Sequence, residues 1–168
     1  MVMIARLETR SWNPLAAASK VHVLLLDESQ GSRAETRRIL SQGGITKISE
    51  GSVNGRHLIA RDCDPSSINV ILSEMDLRGG WGLDLLKRIR MGQIGTIRPD
   101  ICFIFMTSAT ESPLVVTAAH LDANGYLSKP ISADKLRMAI LRGQSRPCLV
   151  DIAKYRDVPI GMGAPVIH

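Results

Sequence analysis

The chain has 168 residues, of which 45% are hydrophobic and 22% charged, with a formal net charge of +5. This length suits one globular domain with short extensions, and the composition excludes the disordered, collagen-like and disulfide-scaffold classes. The longest apolar run, residues 101–106, is far shorter than the roughly 20 residues of a membrane-spanning helix, no signal-peptide core is found, and the basic residues form no nucleic-acid-binding motif. We therefore expect a cytoplasmic protein with neither a membrane nor a nucleic acid as partner.

The first half of the chain alternates between predicted strands and predicted helices. Residues 21–26 are a run of valine and leucine with one histidine and without polar alternation, which is typical of a strand buried on both faces of a sheet. Ser32 is the predicted N-cap of a helix that ends at Gly43-Gly44. The following elements continue the pattern: a strand at 45–49, a short helix at 53–60 and a strand at 68–73.

The second half repeats this alternation. Its predicted elements are a helix at 83–90, a strand at 101–106, a helix at 112–121, a strand at 126–128 and a helix at 132–142. Five successive strand–helix units predict an α/β fold, a doubly wound parallel sheet with helices on both faces. We place the domain at residues 21–143, with an N-terminal extension at 1–20 and a C-terminal tail at 144–168.

Polar residues follow the predicted strands at the edge where such sheets carry their functional crevice. They are Asp27 and Glu28 after the first strand, Glu74 after the third, Thr107 after the fourth and Lys129 after the fifth. Converging carboxylates repel one another unless a divalent cation or an ammonium group neutralises them. The pattern therefore predicts an acidic pocket that holds Lys129, Mg²⁺ or both.

Four motifs in order carry a family resemblance: Leu25-Leu26-Asp27-Glu28 with Arg33, the 70–82 segment followed by Leu83-Asp84-Leu85-Leu86, Phe105-Met106-Thr107-Ser108, and Gly125-Tyr126-Leu127-Ser128-Lys129-Pro130. Residues 20–143 thereby resemble the receiver domain of two-component response regulators, including the stand-alone chemotaxis-type receivers. The resemblance implies a flavodoxin-like sheet of five strands in the order 2-1-3-4-5. It also implies a sensor histidine kinase or phosphotransfer protein as upstream partner.

The resemblance assigns roles to residues of the strand ends. In the family, Mg²⁺ is held by an acidic pair, here Asp27 and Glu28, together with a backbone carbonyl, here that of Asp76. The phosphate-contacting and switch residues correspond to Thr107, Tyr126 and Lys129. A cis peptide bond before a proline matches Pro130. The face formed by the fourth helix, fifth strand and fifth helix would bind a downstream protein of unknown identity, or a second copy in a homodimer.

Glu74 departs from the family, because it stands where the phosphoacceptor aspartate is expected. The extra methylene displaces the carboxylate by roughly 1 Å, and in-line transfer is sensitive to such displacements. We hypothesise that Glu74 accepts phosphate poorly and instead forms an ion pair with Lys129. Asp76, two residues further, is the alternative acceptor. Trp81 lies in the neighbouring loop, where it would either contact a partner or cap the pocket.

These observations favour a single-domain receiver that is not an enzyme and signals through protein–protein contact, atypical because of Glu74. A first alternative is a pseudo-receiver that acts as an interaction module without phosphorylation. A second is a Mg²⁺-dependent phosphohydrolase with Asp27 as nucleophile. That chemistry commonly places a second acid two residues later, where this chain has Ser29.

Overall fold

The computed structural model describes residues 17–54, 57–77, 80–108, 112–146 and 148–160, and at positions 54, 80, 81 and 112 it covers the backbone only. Within these ranges, no helix combines the length and apolar character needed to cross a membrane. Trp81 is therefore placed through its backbone, and the role predicted for its side chain lies outside the described residues.

Strands and helices alternate along most of the chain. The strands are β1 (His22–Leu26), β2 (Lys47–Asn54), β3 (His57–Ala60), β4 (Val70–Ser73), β5 (Asp76–Leu77), β6 (Gly80–Trp81), β7 (Cys102–Thr107) and β8 (Gly125–Ser128). The helices are α1 (Gln30–Gln42), α2 (Gly82–Arg90), α3 (Ser112–His120), α4 (Ala133–Ser145) and α5 (Ile152–Arg156), with a 3₁₀ turn at Pro65–Ser67.

The main sheet has the order β3-β2-β1-β4-β7-β8, and every neighbouring pair is parallel except β2 and β3. The five parallel strands thus follow the predicted order 2-1-3-4-5, and the predicted α/β class is confirmed. Leu26 pairs with Ser73 and Thr107 pairs with Ser128. This register brings the carboxyl ends of the strands to one edge, where the polar residues follow.

The helix predicted at residues 53–60 is wrong, since this segment belongs to the β2–β3 hairpin in which Val53 pairs with Leu58. Gly51 permits the close approach that the hairpin requires. A Cβ atom on Gly51 would lie 2.7 Å from the Ile59 carbonyl oxygen and 2.9 Å from Leu24 Cδ1. The hairpin thereby packs close to the side chains of β1, and Leu24 is completely buried.

The first helix begins earlier than predicted, because Ser29 and not Ser32 is its N-cap. The Ser29 hydroxyl accepts a hydrogen bond from the Ser32 amide at 3.3 Å. Ser32 consequently lies in the first turn of α1, with its own hydroxyl available for other contacts. The predicted cap of the last helix is confirmed, since Ser132 accepts from the Lys135 amide at 3.2 Å, and α4 continues to Ser145.

The hydrophobic core has two parts, one on each face of the sheet. Alternate residues of β1 divide between them: Leu24 and Leu26 belong to the part that includes α2, while Val23 and Leu25 belong to the part that includes α1 and α4. A strand places successive side chains on opposite faces, so a continuous apolar run satisfies both. This is why residues 21–26 show no polar alternation.

Arg90 closes the core at the edge opposite the strand ends. Its side chain is completely buried, yet its guanidinium donates to four backbone carbonyls and one side-chain oxygen: those of Pro99, Ile101, Leu121, Asp122 and Asn124 Oδ1. A buried cation is costly unless its donors are satisfied, and here each nitrogen has an acceptor. Arg90 therefore ties α2 to the segments that enter β7 and β8.

Part of the predicted C-terminal tail packs onto this same edge. Tyr155 on α5 is completely buried and donates its hydroxyl to Asp122 Oδ2 at 2.7 Å. Lys154 forms an ion pair with Asp122 at 2.9 Å. From α2, Lys87 Nζ donates to the Val158 carbonyl at 2.7 Å. The segment around α5 is thus a packed element of the structure.

Replacing Tyr155 tests this packing. We expect Tyr155→Phe, which loses only the hydroxyl, to lower the free energy of unfolding by about 1 kcal/mol. Tyr155→Ala also creates a cavity and should lower it by about 3–5 kcal/mol. Urea unfolding measures both. Leu149→Ala is the control, because Leu149 is 88% exposed in the same segment and should change little. An unchanged Tyr155→Ala variant would contradict the packing.

Candidate functional site

Three charged side chains meet where β1, β4 and β8 end. Asp27 follows β1, Glu74 follows β4 and Lys129 follows β8. The backbone sets these positions: the Glu74 amide donates to the Leu26 carbonyl at 2.9 Å, and the Lys129 amide donates to the Thr107 carbonyl at 3.0 Å. The strand-end residues predicted from the sequence are therefore neighbours, although they are far apart along the chain.

The ammonium group of Lys129 occupies the centre of this cluster. Its Nζ lies 2.9 Å from Glu74 Oε2 and 3.3 Å from Asp27 Oδ2, and it donates to Ser32 Oγ at 2.7 Å. Both carboxylates are largely buried, with 8% of the Asp27 side chain and 17% of the Glu74 side chain exposed. Two carboxylates so placed repel each other unless a cation lies between them, and Lys129 provides that cation.

The remaining carboxylate oxygens also have donors. Asp27 Oδ1 accepts from the Ser29 amide at 2.9 Å, and Asp27 Oδ2 accepts from the Ser32 hydroxyl. Glu74 Oε1 accepts from the Met75 amide at 2.9 Å. Every carboxylate oxygen of the cluster is thus engaged by a protein donor, as buried charges require.

The cluster changes the pKa of Lys129. Burial lowers this pKa, but the hydrogen bond and charge of Glu74, together with Asp27, outweigh burial, so the pKa of Lys129 lies above its ordinary value. The ammonium form is therefore favoured in the folded protein. Its positive charge is a permanent part of the site at neutral pH.

The other predicted switch residues lie beside the cluster. Thr107 ends β7 and is buried. Tyr126 on β8 is half-buried, with its ring centroid 6.0 Å from that of Phe105. The Lys129–Pro130 peptide bond is cis, the arrangement that the resemblance implies. The structure therefore brings Thr107, Tyr126 and Lys129 to one edge of the sheet.

The comparisons with known proteins decide the family. A model described as the response regulator receiver domain matches residues 23–141, which is more than half of the chain. The chain belongs to this family. The receiver is 31% identical over 121 residues to response regulator UvrY of Escherichia coli, a match covering 71% of this chain and 52% of that protein. It is 25% identical over 126 residues to the probable chemotaxis protein CheY of Rhizobium etli, covering 75% of this chain and 94% of that protein.

Solved structures agree with the fold. A response regulator receiver domain protein from Clostridium thermocellum superposes with a TM-score of 0.58 at 21% identity, covering 75% of this chain and 95% of that one. The receiver spans about half the length of UvrY, the first of these curated relatives. The predicted resemblance is confirmed at the level of the receiver domain and of two-component signalling, in which such domains interact with histidine kinases or phosphotransfer proteins.

The residues present do not fit the magnesium ion that the family implies. The carboxylates of Asp27 and Glu74 already bind Lys129, and Asp76 is exposed on β5. Glu28 is half-buried and forms no hydrogen bond or ion pair with the cluster in the described part of the chain. Among the described residues, no group of three or more His, Cys, Asp or Glu side chains is arranged to hold a metal. Mg²⁺ would have to displace the ammonium group.

Ser32 is the site residue that the sequence reading missed. Its hydroxyl donates to Asp27 and accepts from Lys129, so it links the first helix to the cluster. The sequence feature that could have indicated this contact is the second serine, Ser29. With Ser29 as the N-cap, Ser32 falls in the first turn of α1, beside Asp27. Arg33, quoted within the family motif, donates to the Asp27 backbone carbonyl at 2.7 Å.

The raised pKa of Lys129 predicts how stability depends on pH. Its contribution is fully present below its unfolded pKa of about 10.4 and is lost as the pH rises through the higher folded pKa. We expect Lys129→Met to lower the free energy of unfolding by about 1–3 kcal/mol at neutral pH, since two carboxylates lose their cation. The difference from wild type should shrink above about pH 10.4.

Urea unfolding at a series of pH values measures this difference. Lys135→Met is the matched control, because Lys135 is exposed on α4 and forms no ion pair in the described part of the chain. A Lys129→Met variant that matches wild type at neutral pH, or whose deficit grows at alkaline pH, would contradict the assignment.

Proposed function

We propose that this chain is an atypical receiver, in which an internal ion pair replaces phosphoryl transfer to the acceptor position. The observation that carries the proposal is the 2.9 Å contact between Lys129 Nζ and Glu74 Oε2. In this proposal, the chain's own residues fix the state of the pocket without phosphate, and the output is contact with another protein. The function belongs to two-component signalling and is that of an interaction module.

The bonding of Glu74 supports this proposal. A carboxylate that attacks phosphorus needs one oxygen free and aligned with the leaving group. Glu74 Oε1 accepts from the Met75 amide and Oε2 binds Lys129, so the carboxylate is held in one orientation and would have to turn to align with a phosphodonor. The additional methylene of glutamate also places the carboxylate deeper in the pocket than an aspartate would reach.

Asp76 is a weaker alternative acceptor. It is exposed on the two-residue strand β5, which pairs with β6, and it does not contact Lys129 within the described structure. A phosphoryl group on Asp76 would therefore lack the ammonium group that stabilises its charge. Asp27, with hydrogen bonds to both carboxylate oxygens, is equally unsuited to act as the nucleophile of a phosphohydrolase.

The switch residues suggest how the state of the pocket reaches a partner. Tyr126 packs on Phe105 behind Thr107, and β8 continues from Tyr126 to the residue before Lys129. In the family, the rotamer of the aromatic side chain at this position follows the switch hydroxyl, which here corresponds to Thr107. We propose that α3, β8 and α4 form a surface whose shape depends on the state of the pocket. This surface would bind a downstream protein or a second copy of the chain.

Incubation with acetyl phosphate and Mg²⁺, followed by intact-mass analysis, tests the proposal. We expect no added phosphoryl group on the wild type. Glu74→Asp shortens the side chain to the acceptor of the family and withdraws a carboxylate from Lys129. We expect this change to make room for Mg²⁺ beside Asp27 and the variant to gain one phosphoryl group. Glu74→Gln is the matched control, because it preserves length and cannot accept phosphate as an acyl phosphate.

Phosphorylation of the wild type to the level of Glu74→Asp would overturn the proposal, and peptide mapping would then assign the phosphate to Glu74 or Asp76. A parallel assay with an aryl phosphate tests the enzyme alternative. Steady Mg²⁺-dependent hydrolysis that is abolished in Asp27→Asn would favour the phosphohydrolase instead.

A further inference from the structure

A concave surface of about 1140 Å³ lies at the edge of the domain opposite the strand-end pocket. It is bordered by the end of α4, the segment that leads into β8, and residues 148–154 of the C-terminal segment. This last border lies beyond residue 141, where the family match ends. The surface, called here the basal groove, is therefore built in part by residues that the receiver family does not supply.

Three aliphatic side chains of the C-terminal segment are exposed along the basal groove. Leu149 is 88% exposed, Val150 38% and Ile152 46%. The same segment buries Tyr155 completely, so its backbone is fixed while these three side chains face outward. Neighbouring exposed aliphatic residues on an anchored segment are typical of a contact surface for another molecule.

The basal groove carries more cationic than anionic side chains: Arg142, Arg146 and Lys154 against Asp122 and Asp151. Arg142 and Arg146 are exposed on its rim and form no ion pair with any described residue. Asp122 binds Lys154 at 2.9 Å, and Asp151 is the N-cap of α5, where it accepts from the Lys154 amide at 3.1 Å. Two arginines beside exposed aliphatic side chains would complement a partner segment that carries both carboxylates and aliphatic side chains. Guanidinium groups bind carboxylates through paired hydrogen bonds.

We propose that the basal groove binds an acidic amphipathic segment of a partner protein. The two terminal stretches outside the described residues lack this chemistry, since residues 1–16 contain two arginines against one glutamate and residues 161–168 contain no acid. In a symmetric contact with a second copy, the net positive charge of one groove would face the net positive charge of the other. The groove is concave and carries no aromatic residue, which suits a helix or strand with aliphatic side chains better than a nucleic acid.

This inference is independent of the proposed function, because the basal groove shares no residue with the Lys129 cluster. Its first test uses the full chain and a fluorescent helical peptide of roughly 15 residues, with Leu on one face and Glu on the other. The comparison peptide carries Lys at each Glu position. We expect saturable binding of the Glu peptide by fluorescence anisotropy, weakened by salt, and much weaker binding of the Lys peptide.

Variants then locate the binding. Arg146→Glu should weaken binding of the Glu peptide about tenfold or more, by replacing attraction with repulsion. The matched control is Arg98→Glu, the same charge change at an exposed arginine that does not line the groove, and it should stay near wild type. Leu149→Ser should weaken binding, whereas Ile59→Ser, at an exposed aliphatic residue on β3, should not.

Equal affinity for the two peptides, or equal loss in Arg146→Glu and Arg98→Glu, would overturn the proposal. Anionic lipid vesicles serve as a second probe. Vesicle binding that is lost in Arg146→Glu, with no binding of the Glu peptide, would also overturn it and would assign the groove to a membrane surface. Glu74→Asp should bind the peptide as wild type does, so a failed phosphorylation result leaves this test unaffected.

Discussion

The contact between the Lys129 ammonium and two carboxylates is the constraint on which the site depends. Asp27 and Glu74 come from different strands and are brought together by the parallel register of β1 and β4. Their mutual repulsion in a largely buried pocket would oppose the fold unless a cation lay between them. Lys129, held beside them by the bond from its amide to Thr107, supplies that cation from within the chain. One ammonium group thus separates two carboxylates within the chain itself, and the cluster keeps a net charge of −1.

Glutamate at position 74 has a geometric consequence as well as a chemical one. Its longer side chain reaches the ammonium group at 2.9 Å, closer than Asp27 at 3.3 Å, while its second oxygen binds the next backbone amide. Ser32 adds a hydroxyl that bridges Asp27 and Lys129. The cluster therefore joins β1, α1, β4 and β8, and a change in any one charge is felt by the others.

Much of the fold was predictable, because buried parallel strands have a strong sequence pattern. The apolar runs of β1, β4 and β7 and the acid or hydroxyl residues that follow them located the sheet and its functional edge. The hairpin at 53–60 was missed, although Asn54-Gly55 is a common hairpin turn, since its short apolar run also fits a helix. The position of Ser32 was missed because either serine could cap α1. The docking of Tyr155 could not be predicted, as it depends on Asp122 and Arg90 meeting at a distant edge.

The strand-end pocket and the basal groove differ in whether their charged side chains form ion pairs within the domain. At the strand-end pocket Asp27, Glu74 and Lys129 are bound to one another, whereas at the basal groove Arg142 and Arg146 form no ion pair with a described residue. The core joins the two ends through Phe105, which contacts Tyr126 on one side and Phe103 on the other. We propose that the first end sets the state of the receiver and that the second end contributes to the choice of partner.

A double-mutant cycle between Glu74 and Lys129 tests the central claim most directly. The free energy of unfolding is measured by urea denaturation for wild type, Glu74→Gln, Lys129→Met and the double variant at neutral pH. The account predicts a coupling energy of about 1–3 kcal/mol, because Lys129→Met leaves Glu74 without a cation and Glu74→Gln leaves Lys129 with Asp27 as its one carboxylate in the cluster. Additive effects, within about 0.5 kcal/mol, would show that the two charges do not stabilise each other and would contradict the account.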